Sequence, residues 1–222
     1  MPEITTDIIN DIVKASTEGL IVTREKNKKF ATNFNILSEK EISVVFTPFM
    51  GDEEKENMCK QIGKLTYDKK AHQIIFVSDS FLTKCSNKKD AQYVMEHWEK
   101  FKKSPPNKKQ EALVISVIDF KNVNNERLIV IPYKIKNKKV IISKKMENDP
   151  VPVEGFIKDS VAQGFASSLI IDILQRKELV PEKFITDPPE KTTKFMEEVL
   201  EEVDKEYPNL LPKDFKMRKK HG

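Results

Sequence analysis

Three short β-branched runs stand close together in the middle of the chain. Residues 112–120 read ALVISVIDF, residues 127–135 RLIVIPYKI and residues 140–143 VIIS, with Asn- and Lys-rich breaks between them. Runs of this length bounded by turn residues predict an antiparallel meander. Leu113, Ile115 and Val117 alternate with Val114, Ser116 and Ile118, so the first strand offers two distinct faces. Pro132 has no amide hydrogen to give to a ladder, which places an edge or a bulge inside the second strand.

The same alternation predicts a hairpin over residues 30–37 and 42–46, split by a charged turn at 38–41. Residues 73–77 (QIIFV) are almost wholly apolar and predict a central strand ending in Ser78, Asp79 and Ser80. Between these runs the period changes. Ile4, Ile8, Ile9, Ile12 and Val13 make one stripe on a short helix over 4–15 that Gly19 ends. Residues 52–67 predict a second helix, with Asp52, Glu53 and Glu54 where the helix dipole favours anions. Met58, Ile62 and Leu65 form its buried stripe, and Gly63 weakens it without stopping it. Further helices are expected over 90–102, carrying Val94, Met95, Trp98 and Phe101, over 160–175, and over 190–206.

These elements give an α+β fold: a mixed or antiparallel sheet of five to six strands covered by three helices, at 52–67, 90–102 and 160–175. The expected organisation is an N-terminal helix over 1–20, a single α+β domain over 21–183, and a C-terminal helical extension with a basic tail over 184–222. The prolines before residue 190 would act as a hinge. That leaves Phe195, Val199, Leu200 and Val203 either as core or as an apolar face presented to a partner protein.

Composition narrows the class. Of 222 residues, 38% are hydrophobic, 33% are charged, and the apolar ones are clustered, as in a globular chain. No apolar run is long enough to span a membrane and no secretory leader is visible, so a soluble cytoplasmic protein is expected. Cys59 and Cys85 lack metal or redox spacing and are read as reduced structural thiols. His72, His97 and His221 are scattered, so neither a metal nor a cofactor is expected. None of the six glycines clusters as a phosphate-binding loop requires.

Three groupings carry possible chemistry. Asp79, Glu111 and Asp119 end or begin strands, and Lys121 follows two residues after Asp119. Carboxylates converging in this way, with a nearby lysine, would suit a metal-dependent nucleic-acid-processing enzyme. Ser78 and Ser80 with His72 lack a nucleophile elbow and read as a polar strand end. The basic stretches 24–29, 100–109 and 134–145 could share a face and bind RNA or DNA, with Phe81 or Tyr133 stacking on bases.

Residues 73–81 (QIIFVSDSF), Trp98 and residues 106–113 (PNKKQEAL) resemble a widespread group of uncharacterised bacterial and archaeal proteins. That group has a strand ending Val-Ser-Glu-Ala-Trp and a later strand opening Arg-x-Glu-Ala-Leu. Here Asp79 stands in place of the Glu, Phe81 in place of the Trp and Lys109 in place of the Arg. The resemblance spans about residues 48–145. It implies an α+β fold with Asp79 and Glu111 near each other, and no particular activity. The leading expectation is therefore a non-catalytic interaction or accessory module. The carboxylate enzyme and the lysine-turn nucleic-acid binder are its rivals.

Overall fold

The computed structural model describes residues 6–47, 52–82, 110–144, 146–147, 156–177 and 189–211. Its frame is an antiparallel sheet in the order β2-β1-β3-β4-β5-β6. The strands are β1 (Asn33–Leu37), β2 (Ile42–Phe46), β3 (Gln73–Leu82), β4 (Gln110–Asp119), β5 (Arg127–Lys136) and β6 (Lys139–Ile142). A two-residue β7 (Met146–Glu147) also pairs with β5. The helices are α1 (Thr6–Glu25), α2 (Asp52–Asp68), α3 (Phe156–Arg176) and α4 (Pro189–Glu206). The fold is thus α+β, with a purely antiparallel sheet. The helix expected at 90–102 lies outside the described residues.

The alternation along β4 separates two cores. Ile118 and Phe120 join Phe34, Ile36 and Ile74 beneath α2, α3 and α4, while Leu113, Ile115 and Val117 join Ile75, Val77, Ile129 and Ile131 beneath α1. The sheet therefore lies between α1 and the other three helices. In the first core Phe165 stands edge-on to Tyr67 and Tyr207 at ring separations of 5.4 and 4.9 Å, a favoured geometry for aromatic pairs.

One expectation needs correction, and one open alternative is decided. Gly19 does not end α1, which runs on to Glu25. The extra turns seat Leu20 with no exposure, and burying a leucine outweighs the roughly 1 kcal/mol a helical glycine costs. The last helix is not an arm held off the domain: Val199 and Val203 are fully buried in the first core and Phe195 packs against it. Leu200, the fourth residue of the stripe, is half-buried beside them. Pro132 falls where the outer neighbour of β5 changes from β7 at Ile129–Val130 to β6 at Tyr133, so its missing amide interrupts no ladder.

Candidate functional site

The four residues proposed as one carboxylate cluster lie at two ends of the sheet. Asp79 pairs with Leu113, and Asp119 lies six positions further along β4. At the usual rise per strand residue this separates the two ends by about 20 Å. Asp79 and Glu111 share one end, Asp119 and Lys121 the other. They do not form a single site.

At the first end the α1 face carries a tetrad. Arg24, in the last turn of α1, directs its Nε to Asp79 Oδ2 at 2.9 Å and its guanidinium to Glu111 Oε1 at 2.9 Å. The Tyr133 hydroxyl accepts from Arg24 Nε at 3.0 Å and donates to Asp79 Oδ1 at 2.8 Å. Burial pushes the Asp79 carboxyl above its ordinary range, and the bonds from Tyr133 and Arg24 offset this only in part. Burial also works against the Arg24 cation, but Tyr133, Asp79 and Glu111 together outweigh it and hold the guanidinium charged. The Tyr133 phenol is pushed up by burial and by the adjacent Asp79. Arg24 thus supplies the positive charge between the two carboxylates, and the tetrad ties α1 to β3, β4 and β5. Sequence reasoning missed Arg24, since an arginine in a lysine-rich turn carries no mark of what it pairs with. Tyr133 is not available to stack on a base, because its ring is buried. The Phe81 side chain lies outside the described residues.

At the other end Asp119 is a fully buried acceptor. Oδ1 takes the backbone amides of Lys121 and Asn122 at 2.8 and 3.0 Å and lies 3.1 Å from His72 Nδ1. Oδ2 takes Gln73 Nε2 at 2.6 Å and Asn125 Nδ2 at 2.9 Å. Burial alone would raise this carboxyl, but the bonds from His72, Asn125, Gln73 and the Lys121 amide more than reverse it and lower it to about 2. Next to it Glu126, also fully buried, pairs with Lys158 and accepts from Asn209 Nδ2 at 3.0 Å. Asn209 also donates to the Asp119 carbonyl at 2.7 Å. The ammonium of Lys121 turns to the Tyr207 ring, 5.1 Å from its centroid. His72 therefore belongs with Asp119, at the end of β3 remote from Ser78 and Ser80. This corner fastens the β4–β5 connection to α3 and to the segment after α4.

The Asp119 network makes a pH prediction. A carboxyl held near 2 when folded, against an ordinary 3.8, stabilises the fold by about 2 kcal/mol. Because the folded value is the lower one, that contribution is complete above about pH 4 and disappears as pH falls toward 2. Urea midpoints should drop across that window, and Asp119→Asn should flatten the drop. An equal acid slope in both proteins would refute this assignment.

Among the described residues, no group of three or more His, Cys, Asp or Glu side chains is placed to hold a metal ion. Cys59 is a buried free thiol pushed up to about 11 by burial. Cys85 lies outside the described residues. No protein-family model matches the chain, and neither a curated protein nor a solved structure matches it.

The polar clusters leave one other feature of the sheet unused. Among the described residues β2 is an outer strand, paired on its β1 side alone. Its alternate residues Ile42, Val44 and Phe46 are 47%, 50% and 65% exposed. They line one face of a strand that contains no charge and no proline.

Proposed function

We propose that this chain is a non-catalytic interaction module that receives an extended strand of a partner protein along β2. The observation that carries this reading is the outer edge of β2, which pairs with no further strand among the described residues, with Ile42, Val44 and Phe46 exposed beside it. Sheet edges are ordinarily blunted by a lysine, a proline or a bulge, because unpaired backbone groups recruit other strands. An apolar edge lacking those devices suits strand addition, in which backbone bonds give affinity and alternate side chains give specificity. The carboxylates that would have supported catalysis are engaged instead, Asp79 and Glu111 with Arg24 and Asp119 with its five donors. On α4, the other surface open to a protein partner in the sequence, Val199 and Val203 are buried in the first core and Phe195 packs against it.

The test is a photo-crosslinking residue at Ser43, in the full chain expressed in its source cells. A discrete protein adduct should form, map to β2, and disappear when Val44→Lys is added. The same probe at Ser167, on an exposed part of α3, should give no such adduct. Equal labelling from both positions, or adducts indifferent to Val44→Lys, would end this reading.

A further inference from the structure

At the opposite edge of the sheet, the end of β5 and the start of β6 form a ribbon whose tip is exposed. Every residue from Lys134 to Lys139 is exposed, although successive side chains point to opposite faces. The ribbon closes through Asn137 and Lys138, both with positive φ (53° and 62°), between the paired residues Lys136 and Lys139. That is the two-residue turn whose twist matches a hairpin, so the tip is preorganised. The chain after α1 arrives at the same place: α1 lies against β6, and the Val140 amide donates to Glu25 Oε1 at 3.2 Å.

This brings two lysine turns together that are far apart in sequence. Lys26, Lys28 and Lys29 follow α1, and Lys136, Lys138 and Lys139 surround the ribbon tip. All six are exposed, and none is ion-paired among the described residues. Aliphatic side chains are interleaved with them. Ile135 is 43% exposed and Ile141 is 51% exposed, on opposite faces of the ribbon.

We propose that this ribbon tip and the turn after α1 dock on an anionic phospholipid surface. The charge is complementary to phosphate- and carboxylate-bearing headgroups. The isoleucines decide between polyanions. A nucleic-acid backbone offers them nothing, and single-strand binding relies on exposed aromatic platforms. The one aromatic residue of this ribbon, Tyr133, is buried. A bilayer interface takes both components, lysines at the headgroups and aliphatic side chains at the acyl boundary. The proposal is independent of what pairs with β2.

The test is co-sedimentation of the full chain with phosphatidylserine-containing vesicles, with pure phosphatidylcholine vesicles and duplex RNA and DNA as comparisons. Binding should require phosphatidylserine and weaken as salt is raised. Each surface lysine contributes about fivefold in affinity, so Lys136→Gln with Lys138→Gln should weaken binding about 25-fold. Ile141→Ser should weaken it about tenfold with the lysines intact, by removing a side chain from the interface. These positions are exposed, and unchanged circular dichroism would show that the variants fold. Absence of binding to phosphatidylserine vesicles at low salt would overturn the proposal. So would binding indifferent to Ile141→Ser, or duplex nucleic acid binding tighter than vesicles.

Discussion

Gly164→Ala should destabilise the protein by about 3 kcal/mol, and Gly164→Val should leave most of it unfolded, given a total stability of about 5–15 kcal/mol. The reason is the α2–α3 contact, where two helix backbones touch with no side chain between them. A Cβ built on Gly164 would run into the carbonyl oxygen of Lys60 and come within 2.7 Å of that carbonyl carbon. A Cβ on Gly63 would meet the carbonyl oxygen of Val161 and lie 2.6 Å from the Phe165 amide nitrogen. These obstacles are backbone, which cannot rotate aside as a flexible side chain can, so the helices must separate. Separation would loosen Phe165 from Tyr67 and Phe120 and open the first core. Alanine would gain about 1 kcal/mol of helix propensity at either site, too little to offset this. Gly19→Ala is the internal control. There the new Cβ would sit at an ordinary 3.5 Å from the Phe30 ring, so the propensity gain should show as a small stabilisation. Urea unfolding of the three single variants decides the matter. If Gly164→Ala were as stable as the parent, close backbone contact would not be what holds α2 on α3.

The same contrast explains what the sequence could and could not reveal. An almost wholly apolar run identified β3 and β-branched runs identified β4 and β5, and the split of Leu113, Ile115 and Val117 from Ile118 matches the two cores, because a strand's faces follow from alternation alone. Glycines carry no such signal. Gly19, Gly63 and Gly164 all interrupt helical patterns, and only the packing partner tells a tolerated interruption from a required one. Polar residues were legible in kind but not in company. Asp79 and Glu111 do share one end of the sheet, yet what joins them is Arg24, 55 positions before Asp79 in a stretch that reads as a solvated turn. Asp119 has the same local pattern of a carboxylate at a strand end but lies at the far end, because β3 and β4 are long and pair over their full length. The lysine turns at 26–29 and 136–139 meet only because α1 crosses to β6, a tertiary fact that no local pattern encodes.

Lys158→Met should lower stability by about 3–5 kcal/mol, the usual consequence of removing one partner from a buried ion pair. The Lys158 ammonium lies 2.8 Å from Glu126 Oε1 and 3.0 Å from Oε2, and Glu126 is fully buried. Methionine keeps much of the length and apolar surface of the lysine stem, so the loss would come from removing the Lys158 charge beside the carboxylate, not from a cavity. Asn209 Nδ2 at 3.0 Å and the Asp119 backbone amide at 3.4 Å also reach Glu126, and neither carries a full charge. Adding Glu126→Gln to Lys158→Met should restore much of the stability, because glutamine can still accept from Asn209 and introduces no buried charge. The comparison of single and double variants isolates the pair from the packing around it. Urea midpoints for the two single variants and the double variant supply the measurement. A double variant no more stable than Lys158→Met would show that the loss comes from disturbed packing of α3. Recovery would show that the charge pair, not its shape, fastens the β4–β5 connection to α3. The Asp119 network and the segment after α4 would then depend on a corner whose stability is electrostatic and whose removal the apolar cores alone do not tolerate.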